Sequence, residues 1–146
     1  MKEFKIYTCG KMSGIPYEKQ MEWRYKIQEL IESKTNRKVI FIHPPLFYGY
    51  HEVMHKSERE VKEWELNQIC SCDIVIVNLD GINESIGSHF EMGAICGANI
   101  VGNKHITVIG VGKSEIKVHP WIETDFLRYE EHLEDAADYI ATYLLL

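Results

Sequence analysis

At 146 residues and 45% hydrophobic, the chain has the size of one ordinary domain and enough apolar material for a single core. A formal charge of -6 excludes the broadly basic surface that a nucleic-acid polymer requires and points to small-molecule partners. The polar start Met1-Lys2-Glu3-Phe4-Lys5 does not read as a signal peptide, and no apolar run reaches the length of a membrane span. A cytoplasmic protein with no membrane partner is expected.

In chain order, residues 4–9 predict a first strand, which runs into Gly10-Lys11-Met12-Ser13-Gly14-Ile15-Pro16. Pro16 suits a helix start, and the helix that follows carries Met21, Tyr25, Ile27, Leu30 and Ile31 as its apolar or aromatic residues. A second strand at 38–42 stops at His43-Pro44-Pro45. An irregular stretch then holds Phe47, Tyr48 and Tyr50, which suit a mobile loop that borders a site and stacks on a planar ligand. Ser57-Glu58-Arg59-Glu60 is a capping-box pattern for a helix to about residue 70.

The third strand, 73–79, is a nearly continuous apolar run, as central parallel strands are when helices cover both faces. Asp80-Gly81 ends it. A helix at 88–99, a strand at 105–111, a loop through Pro120 and a helix at 129–144 complete the count, with a short strand at 125–127. Strand and helix alternate without repeats or a glycine-serine linker, which implies a parallel sheet. The expected fold is a single α/β domain over residues 1–146, a flavodoxin-like or Rossmann-like three-layer sandwich with a five-stranded, mainly parallel sheet. Cys9, Cys70, Cys72 and Cys96 lack paired metal spacing and read as small core residues.

Three patterns bear on chemistry. His51-Glu52-Val53-Met54-His55 matches the spacing of a zinc protease, but it lies among prolines, aromatics and a glycine, without a stable helix or a downstream third ligand. No metal is expected there. The first glycine loop lacks both the P-loop ending and the dinucleotide-binding spacing, yet its amides and Lys11 suit a phosphate or sugar hydroxyls, with a plain turn as the alternative.

The third pattern, Ser85-Ile86-Gly87-Ser88-His89-Phe90-Glu91-Met92-Gly93-Ala94, sets one carboxylate outside the carboxyl end of a parallel strand, where open α/β sheets bind ligands. Glu91 then reads either as a nucleophile facing that crevice or as the second half of a Ser88–Glu91 capping box. Gly93 and Gly97, one turn apart, read as the places where this helix packs closely on the sheet.

Taken together, Tyr7-Thr8-Cys9-Gly10, a tryptophan-bearing helix before Cys72-Asp73, the strand Asp73-Ile74-Val75-Ile76-Val77, and Ser85-x-Gly87-x-x-x-Glu91-x-Gly93 resemble the nucleoside 2-deoxyribosyltransferase family. The resemblance covers about residues 4–112 and includes the branch of 2'-deoxynucleoside 5'-monophosphate N-hydrolases. It implies that Glu91 is the catalytic glutamate that attacks the anomeric carbon and that Tyr7 orients it. Glu65 falls where the family has an aspartate that assists the leaving base, and its extra methylene reaches further, so the pocket is reshaped or the role passes to Asp80. Ser85 matches a serine that contacts a 5'-phosphate in the hydrolase branch.

Lys11 and Ser13 depart from the family's residues in the first loop and remain candidates for phosphate recognition, with Gly10 beside them. Asp73 and Gly87 stand in the matched motifs as substrate-binding candidates, and Asn78 and Asp80 are polar candidates for sugar or base contacts. The implied partners are a 2'-deoxynucleoside or nucleotide and a nucleobase, with no cofactor. A homodimer or higher homo-oligomer with shared active sites is also implied, the loop at 113–121 with Ser114 and His119 being the candidate for the residue donated between subunits. Transfer to a second base, hydrolysis of the 5'-monophosphate, and a non-catalytic nucleotide-binding module are the three readings this leaves.

Overall fold

The computed structural model describes residues 2–48, 55–102 and 104–146. Five strands form one sheet in the order β2-β1-β3-β4-β5: β1 (Phe4–Cys9), β2 (Val39–Ile42), β3 (Ile74–Asn78), β4 (Thr107–Val111) and β5 (Arg128–Glu130). All four pairings are parallel, so the sheet is wholly parallel, as the alternation of elements predicts. Its order is the flavodoxin-like one, which reverses direction between β1 and β3 and opens a crevice at their carboxyl ends.

Period-two alternation in the strands feeds two cores. Tyr7, Cys9, Val75 and Val77 point to one side and pack with Ile69, Met92 and Ile95 of helices α2 (Glu58–Ser71) and α3 (Ile86–Val101). Phe4, Ile6, Ile74, Ile76 and Ile109 point to the other. They meet Ile27 and Ile31 of α1 (Tyr17–Glu32) and Ala136, Ala137 and Ile140 near the carboxyl terminus. Helices on both faces give the expected three layers. A one-turn helix, α4 (Pro120–Glu123), precedes β5, and α5 (Leu133–Tyr139) continues as a π turn through Ile140–Leu144.

The first four strands lie within two residues of expectation, and α2 has the capping box: Ser57 Oγ accepts from Glu60 N while a Glu60 carboxylate oxygen accepts from Ser57 N. The carboxyl-terminal third needs correction. The short strand lies at 128–130, not 125–127, and the last helix starts at 133 rather than 129, because Arg128, Tyr129 and Glu130 pair with β4. Gly110 of β4 makes room for that pairing: a Cβ there would lie 2.8 Å from the Tyr129 ring and 3.0 Å from the Phe126 ring, which stack on each other at 4.8 Å.

Tyr25 is half exposed, whereas Arg24 is buried in the apolar stripe of α1. Gly93 and Gly97 face outward with open space around them, so they do not serve packing on the sheet. Cys9 and Cys72 are buried; Cys70 and Cys96 are partly so.

Gly110→Ala should destabilise the fold by about 1–3 kcal/mol, the cost of forcing two packed rings aside. A urea unfolding midpoint unchanged from that of the parent chain would show that the ring pair yields freely.

Candidate active site

The β1/β3 crevice holds a cavity of about 370 Å³. Its walls come from the loop after β1 (Gly10, Lys11, Ser13), from α2 (Glu65) and from the start of α3 (Ser85, Gly87, Glu91). Seven of the eleven residues singled out from sequence therefore meet in one pocket. Tyr7, an eighth, lies beneath it in the core, beside Glu91.

Local chemistry explains how each wall is built. Gly10 threads a narrow gap, since a Cβ there would stand 3.1 Å from the Trp23 ring and 3.3 Å from Asn78 Cβ. Gly81 adopts φ +71°, and the stem of Lys11 lies against it, 2.8 Å from where a Cβ would sit. Lys11 Nζ reaches Glu84 at 2.8 Å and so ties the first loop to the turn before α3. Tyr48 also lines the pocket and donates to a Glu58 carboxylate oxygen at 2.8 Å, while Phe47 packs on Trp64 at 4.5 Å. Tyr50 and residues 51–54 of the histidine pattern lie outside the described residues.

The capping reading of Glu91 is resolved by where α3 begins. Ser85 is the N-cap, accepting from Ser88 N and bonding Ser88 Oγ at 2.7 Å, so the cap lies three residues before Ser88. Glu91 then lies in the second turn, with no free N-terminal amide to reach, and its side chain turns in toward β1. The residue is partly exposed, but Oε2 is sealed from solvent.

Burial dominates the electrostatics. Loss of hydration pushes Glu91 up to about 8, with repulsion from Glu65 adding to it and the Tyr7 hydroxyl, the Cys9 thiol and Arg24 opposing. Glu65 is pushed up to about 7, again by burial, with Arg24 opposing and Glu58 adding to the rise. Repulsion from Glu65 falls on Glu91, the higher of the two, so near neutral pH a proton is favoured on Glu91.

Tyr7 is raised well above an ordinary phenol, first by burial and then by Glu91, so it is a neutral donor. The phenol is near enough to Glu91 to perturb it, yet Tyr7 Oη and Glu91 Oε2 both lack a partner in hydrogen-bonding geometry among the described residues. A small rotation of either group would join them.

Arg24 is the site residue that the sequence reading passed over. It is fully buried, donates to the carbonyls of Thr8, Gln20 and Gly10, and lies 4.6 Å from the centre of the Trp23 ring. Burial lowers its pKa to about 10, which leaves it charged at neutral pH. The signal was present: an arginine three residues after Met21 and three before Ile27 occupies a core position of the helix.

Three candidates lie elsewhere. Asp73 stands at the amino end of β3, where its carboxylate accepts from Lys5 N at 2.8 Å and faces Lys104 Nζ at 3.4 Å. That joint fixes the sheet at the edge opposite the pocket. Asn78 and Asp80 line a second cavity with Trp23, Glu131 and His132, on the other side of Gly10. The cause is strand alternation past Val77, which turns Asn78 toward the α1 layer. In the loop at 113–121, Ser114 lines a third cavity, and His119 caps α4 by accepting from Trp121 N at 3.2 Å.

No family model matches the sequence, and no curated protein matches it by sequence. Solved structures do match. A 2-deoxyribosyltransferase from Bacillus psychrosaccharolyticus superposes with a TM-score of 0.62 at 17% identity, over 92% of this chain and 91% of that one. A conserved protein from Enterococcus faecalis V583 gives 0.69 at 13%, over 95% and 98%. A CMP N-glycosidase from Clostridium botulinum gives 0.56 at 14%, also over 95% and 98%. The likeness is one of fold: this chain has the nucleoside 2-deoxyribosyltransferase-like fold.

A carboxyl whose pKa is raised on folding favours the native state below its unfolded value, here near 4.5, and loses that contribution as pH rises through the folded value, near 8. Glu91→Gln, which resembles the protonated acid, should therefore add no more than about 1 kcal/mol at pH 5 and on the order of 2–4 kcal/mol at pH 8.5. Equal effects on thermal unfolding at both pH values would mean that the Glu91 carboxyl titrates normally.

Proposed function

We propose that the chain is a nucleoside 2-deoxyribosyltransferase that uses Glu91 as its nucleophile. The reading is carried by one observation: a carboxyl sealed at the wall of a pocket beside a second carboxyl, both with raised pKa. Deoxynucleoside cleavage passes through an oxocarbenium-like state, which a carboxylate close to C1' stabilises. The reactive form is the minor one in which the shared proton has passed from Glu91, the higher of the two in pKa, to Glu65; ionised Glu91 then makes the C1'–O bond as the C1'–N bond breaks, while Glu65 delivers that proton to the departing base. A second base then attacks C1', gives its proton back to Glu65 and frees Glu91. Once a small rotation brings them together, Tyr7 donates to the Glu91 carboxylate and fixes its rotamer, and Arg24 supplies the buried positive charge that permits one carboxylate to ionise.

The Bacillus psychrosaccharolyticus 2-deoxyribosyltransferase and the Clostridium botulinum CMP N-glycosidase, as relatives in fold, support chemistry at an N-glycosidic bond. Hydrolysis of a 5'-monophosphate is the second reading, favoured by Lys11 and by the hydroxyls of Ser13 and Ser85 on the pocket wall, which suit an anion. In that case water, rather than a base, resolves the glycosyl-Glu91 ester.

Chromatography of each 2'-deoxynucleoside and its 5'-monophosphate after incubation with the protein, with and without a second free base, separates these readings. Transfer predicts a new nucleoside that forms only when the acceptor base is present; hydrolysis predicts free base together with deoxyribose or its phosphate. Glu91→Gln should reduce either reaction by about 1,000-fold or more, as loss of a nucleophile does. No turnover with any of these substrates would leave a non-catalytic binding module, and near-normal turnover by the variant would remove Glu91 from the mechanism.

A further inference from the structure

The wall that α2 gives to the pocket is a single helical face. Glu58, Val61, Lys62, Glu65 and Leu66 follow the i, i+3, i+4, i+7, i+8 spacing that brings side chains to one side of a helix, and all five line the cavity. Its two carboxyls differ in depth. Glu65 is half-buried and close enough to Glu91 to repel it, whereas Glu58, in the first turn of the helix, is open to solvent at the mouth. The proposed chemistry uses Glu65 and gives Glu58 no part.

Glu58 is nevertheless held in place. The Tyr48 hydroxyl donates to Glu58 Oε2 at 2.8 Å, and the neighbouring Phe47 packs its ring on Trp64 of α2 at 4.5 Å, which fastens the loop after β2 to the same helix. A carboxylate has about four acceptor positions, so one phenol orients the group without exhausting it. Lys62, the cation on this wall, lies by the Phe90 ring, with Nζ 5.6 Å from its centre. Val61 and Leu66, with Met12 and Phe90 from other elements, supply the apolar lining that a flat ring needs.

We propose that Glu58, held by Tyr48, is the specificity-determining residue of this pocket, and that it accepts a hydrogen bond from an amino group at the edge of the base most remote from the sugar, as in cytosine and adenine. This role rests on the N-glycosidic reading above, which sets C1' at Glu91 and the near edge of the base at Glu65. The seven residues of α-helix from Glu58 to Glu65 span roughly 10 Å. Two hydrogen bonds of about 2.9 Å, one at each carboxyl, take somewhat more than half of that distance, and the remainder suits the reach of one base from its near edge to a remote amine.

The sense of the preference follows from the donor inventory. An ionised carboxylate accepts and cannot donate. It favours cytosine and adenine, whose remote group is an amine, and disfavours uracil, thymine, hypoxanthine and guanine, which set a carbonyl oxygen against it.

Calorimetric binding to the full chain carrying Glu91→Gln, which holds substrate without turnover, tests this role with two matched pairs: 2'-deoxycytidine against 2'-deoxyuridine and 2'-deoxyadenosine against 2'-deoxyinosine, each also as its 5'-monophosphate. The amino member of each pair should bind more tightly by roughly tenfold to a hundredfold, the range of a hydrogen bond to a charged group. Adding Glu58→Gln, whose amide both donates and accepts, should bring both ratios close to one, and adding Tyr48→Phe should lower them in the same direction. A ratio of affinities is insensitive to loss of folded protein, so a merely structural part for Glu58 would leave it unchanged. Equal binding within each pair, a preference that survives Glu58→Gln, or no binding of any of these compounds overturns the assignment. Turnover by the parent chain is scored separately: an amino preference that depends on Glu58 in a protein that releases no base keeps the assignment and removes the proposed reaction, whereas base release without that preference does the reverse.

Discussion

Two carboxyls and one guanidinium share a poorly hydrated space at the carboxyl end of β1, and the geometry of the crevice follows from accommodating them. Burial alone raises both acids, and a single positive charge offsets one negative charge, not two. The pair with Arg24 is therefore closest to neutral when one carboxyl is ionised and the other protonated. An N-glycosyl transfer requires that one-proton combination with the proton on Glu65, so that Glu91, the higher of the two in pKa, must first yield it to become the nucleophile.

Each of the three charges comes from a different helix. Glu91 is aimed by the Ser85 cap, which sets where α3 begins. Glu65 comes from α2, whose start is fixed by the Ser57–Glu60 capping box. Arg24 reaches across from α1 on the far layer and is held by strand and loop carbonyls at Thr8 and Gly10. The guanidinium thus neutralises charge and also supplies donors to backbone groups at the strand end. Gly10 is small because Trp23 and Asn78 close in on it from both sides, and this gap separates the Glu91 pocket from the second cavity.

Much of the fold was legible because its cues are local. Apolar runs gave β1 and β3, Pro16 the start of α1, and Ser57 with Glu60 the cap of α2. What failed depended on neighbours distant in sequence. Arg128, Tyr129 and Glu130 resemble a helix start until the edge of β4 is available to pair with them. Ser88 and Glu91 have capping-box spacing, but Ser85 caps first. Asp73 belongs to a recognisable motif, yet it sits at the amino end of its strand, the wrong edge of a parallel sheet for a ligand. Arg24 was hidden by its own chemistry, since a charge in an apolar stripe is explained only by the carbonyls and carboxyls it meets. Gly93 and Gly97 suggested close packing, and they face away from the sheet.

Burial keeps a proton on the Glu65–Glu91 pair near neutral pH. A carbon-13 NMR titration of the glutamate carboxyl carbons, assigned with Glu65→Gln and Glu91→Gln, tests it most directly. Two coupled steps near 7 and 8 that belong to this pair are expected. Both carboxyls ionising near the ordinary 4.5 would contradict it, because neither would then carry a proton for the leaving base.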